Sequence, residues 1–166
     1  MDLAKYRPCV GILLLNKEGL VFVGRRRQRK SEQLVRGHVW QMPQGGIDEG
    51  EDPLAAARRE LLEETNIKST RFLSEAPDWY CYDLPVQASN RVWKGKYLGQ
   101  RQKWFALSFE GEASEIDVDT PAGDGHPEFD AWRWERMDRL PDLVVPFKRD
   151  VYKKVVAAFS HLTKAE

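Results

Sequence analysis

Three glutamates, Glu60, Glu63 and Glu64, have the spacing that places side chains on one face of an α-helix. At 100° per residue they fall within roughly 100° of one another, so three carboxylates would point the same way. Like charges three or four residues apart destabilise a helix, and a purely structural helix gains nothing from them. A divalent cation would reverse that effect, because Mg²⁺ and Mn²⁺ prefer carboxylate and phosphate oxygens. The alternative is a solvated acidic face, balanced by Arg58 and Arg59.

The residues around these glutamates form a longer pattern of fixed spacing. It reads Gly45, five residues, Glu51, seven residues, Arg59-Glu60-Leu61, one residue, Glu63-Glu64, one residue, Asn66-Ile67. This pattern resembles the signature of the Nudix hydrolases at every position except Asn66, where that family usually has glycine. Asparagine is the residue that best tolerates a left-handed helix cap after glycine. We therefore expect this difference to cost less than about 1 kcal/mol and to leave the chemistry unchanged.

The resemblance implies an α/β fold, a Nudix-type α/β/α sandwich in which helices flank a mixed β-sheet. It also implies hydrolysis of a nucleoside diphosphate that is linked to a further group. By position, Mg²⁺ or Mn²⁺ would be held by Glu60, Glu63, Glu64 and the carbonyl of Gly45. Glu51 and Arg59 would pair to orient the helix, next to the structural Gly46. The chemistry fits these roles, since water attacks a phosphorus atom and a carboxylate takes its proton.

Further segments narrow the resemblance to one subgroup. They lie along most of the chain: Tyr6–Pro8, Trp40–Gly46, Gly99–Phe105, Pro127–Phe129 and Phe147–Tyr152. These segments look like those of the RNA 5′-pyrophosphohydrolases and of the related asymmetrical dinucleoside tetraphosphate hydrolases. In this subgroup a glutamate that follows the strand containing Trp104 and Phe105 supplies a further metal ligand or the base. Glu115 is the matching position and Glu112 its nearest competitor, and the base remains either Glu64 or Glu115.

Several basic and aromatic residues are candidates for substrate binding. The candidates for phosphate contacts are Arg7, Arg25, Arg26 and Lys103, because basic side chains bind polyphosphate oxygens strongly. Tyr82 and Phe129 match residues that stack a nucleobase in the subgroup, and the alternative is that both are core aromatics. The positions that could line a groove for RNA are Arg25–Lys30, Arg91, Lys94 and Lys96, although a solvated basic loop is the alternative for the first of these.

Local signals predict the elements that position these residues. Two strands, Val10–Leu15 and Leu20–Val23, flank a turn, and residues 25–38 are predicted to form a loop. Trp40–Gly46 is predicted to be an extended segment that ends in a glycine turn. Asp52 and Pro53 predict the start of a helix that ends at Thr65, with Asn66 as its cap. Further strands are predicted at 71–76, 79–83, 103–109 and 129–134, and a second helix at 147–162.

Length and composition exclude several classes of protein. The 166 residues fit one domain, 1–166, and the 26 basic and 26 acidic side chains argue against a protein that coats nucleic acid through bulk positive charge, although a local basic patch remains possible. Cys9 and Cys81 lack metal-ligand spacing and favour a reducing compartment. Because the longest apolar run, Cys9–Leu15, is too short to span a bilayer, we expect a cytoplasmic protein without membrane or DNA partners.

Three functions follow from these observations. The first is removal of pyrophosphate, or of phosphates one by one, from triphosphorylated or diphosphorylated RNA 5′ ends, which would promote mRNA decay. The second is cleavage of diadenosine tetraphosphate to ATP and AMP by the same machinery. The third is a catalytically inactive nucleotide sensor, which the intact set of glutamates disfavours. Neither the choice between Mg²⁺ and Mn²⁺ nor the oligomeric state is settled by the sequence.

Overall fold

A mixed β-sheet is the central layer of the computed structural model, which describes residues 2–27, 39–85, 96–122 and 125–163. The strands are β1 (Tyr6–Leu15), β2 (Val21–Arg26), β3 (Trp40–Gln41), β4 (Gln44–Gly46), β5 (Thr70–Glu75), β6 (Tyr80–Asp83), β7 (Gly99–Phe109) and β8 (Phe129–Glu135). The helices are α1 (Pro53–Thr65), α2 (Leu140–Leu143) and α3 (Arg149–Phe159). The arrangement confirms the predicted α/β class with a mixed sheet flanked by helices.

The strand order brings distant segments of the chain together at one end of the sheet. Its main path is β3-β2-β1-β7-β5, with β4 paired to β1, β6 paired to β7 and β8 paired to β2. The β1–β7 pair is parallel from Tyr6 opposite Gly99 to Leu15 opposite Ser108, and the other pairs are antiparallel. At the amino end of β1 the neighbouring strands therefore follow the order β4, β1, β7, β6.

Both faces of β1 are covered, which explains its nearly continuous apolar sequence. Val10, Ile12 and Leu14 belong to the core cluster that includes Ala56, Ala57 and Leu61 of α1. Leu13 and Leu15 belong to a second cluster, which includes Trp104 and the apolar face of α3. The sheet thus separates two cores, and α1 and α3 lie on opposite faces of it.

The ends of α1 are fixed as the sequence predicts. The Asp52 carboxylate accepts a hydrogen bond from the Ala55 amide at 3.0 Å, and Pro53 occupies the first turn. Asn66 has a φ of 65°, in the left-handed region. Its side-chain amide donates to the carbonyls of Asp117 at 2.8 Å and Thr120 at 3.0 Å. These are contacts that a glycine would lack, so asparagine ties the helix end to the segment before β8.

Three sequence predictions about elements need correction. Arg25 and Arg26 belong to β2 and not to a loop, and positions 28–38 of that predicted loop lie outside the described residues. Gly45 and Gly46 lie in β4, paired with Val10 and Cys9, and the turn with a positive φ comes later, at Gly50. The second helix is α3, shorter than predicted, with 3₁₀ turns at Pro146–Lys148 and at 160–163. The start of the predicted helix is a 3₁₀ turn, because the Lys148 amide donates to the carbonyl of Val145 at 3.0 Å, three residues back.

No helix in the described ranges is long and apolar enough to cross a membrane. Cys9 is buried and Cys81 half-buried, and the two thiols are free.

Candidate active site

Gly45 lies where the catalytic helix of the predicted signature meets the sheet. A Cβ atom at this position would overlap the carboxyl group of Glu60. The backbone of β4 therefore approaches the Glu60 carboxylate so closely that any larger residue at this position would displace the carboxylate. This contact places the Gly45 peptide and the Glu60 side chain together, as the metal-site prediction requires.

The Arg59 guanidinium connects the glycine strand to the acidic helix. Its Nε and Nη2 donate to the two carboxylate oxygens of Glu51 at 2.8 and 2.9 Å, and Nη2 also donates to the Gly46 carbonyl at 2.9 Å. Its Nη1 donates to Glu60 at 3.0 Å and to Glu63 at 3.2 Å. The bidentate bond from Arg59 lowers the pKa of Glu51 to about 2. The predicted pairing of Glu51 and Arg59 is therefore present, and it holds the loop before α1 against the helix.

Glu64 is the most perturbed carboxyl group of the set. Its Oε2 atom is closed to solvent and has no hydrogen-bond partner among the residues that the structure describes. Burial raises the pKa of Glu64 well above its ordinary value, and the nearby carboxylates of Glu128, Glu60 and Glu63 raise it further. Burial also raises the pKa of Glu60. A buried carboxylate without a partner is costly, so this site is electrostatically suited to a cation.

The donor set fits a hard divalent cation, although the side chains do not yet converge on one point. Within residues 2–27, 39–85, 96–122 and 125–163, no three acidic, histidine or cysteine side chains are spaced to hold a metal ion. Arg59 explains this, because it holds both Glu60 and Glu63. A cation among these oxygens would replace Arg59 as their partner, and Arg59 would keep its bonds to Glu51.

Basic side chains lie beside the carboxylates. The Arg7 guanidinium packs on Gly46, where a Cβ atom would overlap it, and its charge acts on Glu60. Arg26 lies 4.0 Å from the Glu128 carboxylate, measured from Nε to Oε1. Lys148 is buried, and its Nζ lies 3.4 Å from Oε1 of Gln41. Burial, followed by the charge of Arg26, lowers the pKa of Lys148 to about 8. The structure thus brings Arg7 and Arg26, two of the predicted phosphate-binding residues, to the site.

Sequence reasoning missed the roles of Glu128 and Lys148. Both are close enough to Glu64 to affect its pKa, in opposite directions. Each lies in a segment that carries the family resemblance, Pro127–Phe129 or Phe147–Tyr152. The sequence therefore pointed to these two segments but not to the individual residues. The pairing of β8 with β2 sets Glu128 beside Arg26 and so identifies Glu128.

Glu115 occupies a different place from the one predicted. Its carboxylate accepts hydrogen bonds from the backbone amides of Lys68 and Ser69 at 2.7 and 2.8 Å, and from the Ser69 hydroxyl at 2.7 Å. Both carboxylate oxygens are thus bound to the segment that follows α1. No contact in the described ranges joins Glu115 to Glu60, Glu63 or Glu64. The observed contacts favour a structural role for Glu115.

Arg25 and Lys103 also lie apart from the carboxylates. Arg25 bonds Asp130 at 2.6 Å and lies over the Trp40 ring, which the Arg133 guanidinium also contacts. The buried Lys103 donates to the Ala76 carbonyl at 2.6 Å. Both cations have protein partners, and phosphate contacts by them remain a prediction.

The two predicted stacking aromatics differ in their surroundings. Phe129 is completely buried against Gly24, where a Cβ atom would overlap its ring, so the alternative of a core residue applies. Tyr82 is also buried, but its ring lies 5.7 Å from that of Phe147 and 5.8 Å from Nζ of Lys148. Phe147 is only half-buried and is the more accessible ring of this pair. Of the predicted groove residues, Arg91, Lys94 and positions 28–30 lie outside the described residues.

Comparison with known proteins agrees with the geometry. The model of the NUDIX domain matches residues 5–155, and the chain therefore belongs to the Nudix hydrolase family. Two curated relatives are both named RNA pyrophosphohydrolase. The protein from Rhodopseudomonas palustris (strain BisB18) is 57% identical over 96% of this chain and 90% of its own length. The protein from Rhizobium meliloti (strain 1021) is 58% identical over 96% of both chains.

A solved structure shows the same fold at low sequence identity. The dihydroneopterin triphosphate pyrophosphohydrolase of E. coli is 19% identical and superposes with a TM-score of 0.65 over 92% of this chain and 97% of that chain.

Proposed function

We propose that this Nudix hydrolase removes pyrophosphate, or phosphates one by one, from the 5′ end of triphosphorylated or diphosphorylated RNA and leaves a 5′-monophosphate. The observation that carries the proposal is the set of charges along the acidic helix, where Arg7 acts on Glu60, Lys148 and Glu128 act on Glu64, and Arg26 lies beside Glu128. Two relatives at 57% and 58% identity carry the name of this activity, which supports the choice of RNA. As a consequence the protein would promote mRNA decay in the cytoplasm.

The residues of the site have two binding tasks: some bind the phosphate oxygens and others hold the metal ion. Three cations lie near the carboxylates: Arg7 on β1, Arg26 on β2 and Lys148 just before α3. Their task is to bind the phosphate oxygens. Glu60, Glu63 and Glu64, with the Gly45 carbonyl, hold Mg²⁺ or Mn²⁺. When bound, such a cation stabilises charge on the phosphate oxygens and lowers the pKa of water.

Hydrolysis then requires one nucleophile and one proton acceptor. Water forms a bond to phosphorus, the P–O bond of the anhydride breaks, and pyrophosphate leaves. Glu64 is our candidate to accept the proton of the water, because its Oε2 has no other partner among the described residues.

The acidic set is completed by Glu128 in this proposal, and Glu115 has a structural role. The charge of Glu128 raises the pKa of Glu64, whereas both oxygens of Glu115 accept hydrogen bonds from Lys68 and Ser69. The test compares Glu128→Gln with Glu115→Gln, and measures Mn²⁺ affinity and hydrolysis of a triphosphorylated RNA together. We expect Glu128→Gln to reduce Mn²⁺ affinity or the rate of RNA hydrolysis 10- to 100-fold, a range typical of weakened metal sites. Glu115→Gln should instead lower the melting temperature while it keeps Mn²⁺ affinity, and the reverse pattern would contradict the assignment.

A further inference from the structure

Aromatic and basic side chains pair repeatedly along the edge formed by β6 and α3. The Nζ atom of Lys148 lies 5.8 Å from the centre of the Tyr82 ring, and that of Lys154 lies 6.0 Å from the centre of the Tyr80 ring. The Arg101 guanidinium lies 4.9 Å from the centre of the Trp79 ring. The first of these pairs belongs to the site, and the other two lie beyond it.

Two of the pairs, Tyr82–Lys148 and Tyr80–Lys154, connect β6 to the segment that contains α3, and both tyrosines are buried there. Tyr80 and Tyr82 are two residues apart on β6, so they face the same side at a separation of about 7 Å. Lys148 ends the 3₁₀ turn before α3, and Lys154 lies within α3, six residues further along the chain. β6 therefore contacts this segment at both pairs, and the exposed Trp79 and Lys154 lie at the end of β6 that is farther from Tyr82.

Beside the start of β6 is an open groove, which we call the Trp79 groove. It has a volume of about 590 Å³ and is lined by Pro77, Asp78, Trp79, Tyr80, Lys154 and two alanines of α3. Trp79 is 38% exposed, which is unusual for so large an apolar side chain. Lys154 is exposed as well, and Asp78 is the acidic residue of the lining.

Trp79 is exposed and lies near the two cations Arg101 and Lys154, three residues before Tyr82 of the proposed phosphate-binding site. Such a surface is suited to bind single-stranded RNA. Bases stack on aromatic rings whatever their identity, and basic side chains follow the backbone. We propose that the nucleotides downstream of the RNA 5′ end run along β6 and α3 and stack on Trp79, with Lys154 and Arg101 near their phosphates. This inference rests on the proposed function, since it extends the substrate beyond the reacting end.

The test measures how kcat/KM depends on RNA length. The substrates are a 5′-triphosphorylated dinucleotide, with a single nucleotide downstream of the 5′ end, and a longer, unstructured octanucleotide of the same 5′ sequence. The variants are Trp79→Ala, Trp79→Tyr and Lys154→Glu. Matched controls are Phe72→Ala, which removes another exposed aromatic residue, and Lys153→Glu, which reverses the neighbouring exposed charge. Melting temperatures identify variants that are misfolded.

We expect the wild-type protein to favour the octanucleotide and Trp79→Ala to reduce that ratio about tenfold, in line with the loss of one stacked base. Lys154→Glu should reduce the ratio as well, while Trp79→Tyr and both controls keep it. If Trp79→Ala lowers activity on both substrates equally, or on neither, the groove does not carry RNA, and a structural or protein-binding role replaces the proposal. Failure of the wild-type protein to hydrolyse either RNA would instead overturn the proposed function.

Discussion

Arg25 and Arg26 are adjacent in the sequence and yet face different surroundings. Arg25 pairs with Asp130 on the outside of β2, while Arg26 lies by Glu128 and Lys148. The register of β2 against β8 shifts between these two residues, which separates their partners. Successive side chains of a strand point to opposite faces, and this alternation together with the register shift places Arg26, and not Arg25, beside Glu128.

The two arginines therefore provide a matched pair of variants. Arg26→Ala should lower kcat/KM for a triphosphorylated RNA about 10- to 100-fold, because a charge-assisted phosphate contact is lost. Arg25→Ala should change kcat/KM less than about threefold, since a surface ion pair contributes little. Steady-state kinetics of both variants measure the difference. Equal losses in the two variants would show that the strand irregularity does not separate their roles.

The Glu51–Arg59 pair acts at the scale of elements, because it fixes the loop before α1 to the helix. Since the pKa of Glu51 is lowered to about 2 in the folded protein, the folded state binds this proton less readily than the unfolded state does. The pair therefore stabilises the fold above the ordinary glutamate pKa of about 4.3, and the contribution is lost as pH falls toward 2. Below that range no stabilisation from this pair remains.

Melting temperatures of the wild-type protein and Glu51→Gln, recorded between pH 7 and pH 2, test this account. We expect the wild-type protein to melt at a higher temperature at pH 7, and the difference to shrink between pH 5 and pH 2. A difference that is constant over the whole range would show that Glu51 acts by packing and not by its charge.

The cap of α1 yields a second prediction for this element. Asn66→Gly keeps the left-handed backbone but loses the hydrogen bonds to Asp117 and Thr120. Because each such bond contributes about 0.5–1.5 kcal/mol, we expect the free energy of unfolding to fall by about 1 kcal/mol. Urea denaturation measures it, and the more strained Asn66→Ala should lose more. If Asn66→Gly were as stable as the wild-type protein, the side chain would have no capping role.

Local signals predicted the helix that carries the site almost completely. Asp52, Pro53 and Asn66 act through residues within a few positions of them, so their effects can be derived from the sequence. The strands followed from apolar runs to within a few residues. The surroundings of Arg25, Lys103 and Phe129 could not be predicted, because their partners are distant in the sequence: Asp130 on β8, Ala76 after β5 and Gly24 on β2. Glu128 was missed for the same reason, since only the pairing of β2 and β8 places it at the site.

At the scale of the whole molecule, the sheet brings four separate segments to one point. The amino end of β1 carries Arg7, the end of β2 carries Arg26, β4 carries Gly45, and the start of α3 follows Lys148. The balanced total of 26 basic and 26 acidic residues therefore conceals a local arrangement of opposite charges. We infer that the acidic helix and the cations around it form a site for a polyphosphate.

The most direct test of that claim is a competition assay at one Mg²⁺ concentration. The protein receives a short 5′-triphosphorylated RNA and diadenosine tetraphosphate together, with Glu64→Gln as the inactive control. We expect a higher kcat/KM for the RNA, with a 5′-monophosphate product, and a 10²- to 10⁴-fold lower kcat in the control. A preference for diadenosine tetraphosphate would contradict RNA as the main substrate. Hydrolysis of neither substrate, or full activity of Glu64→Gln, would contradict the assignment of the site itself.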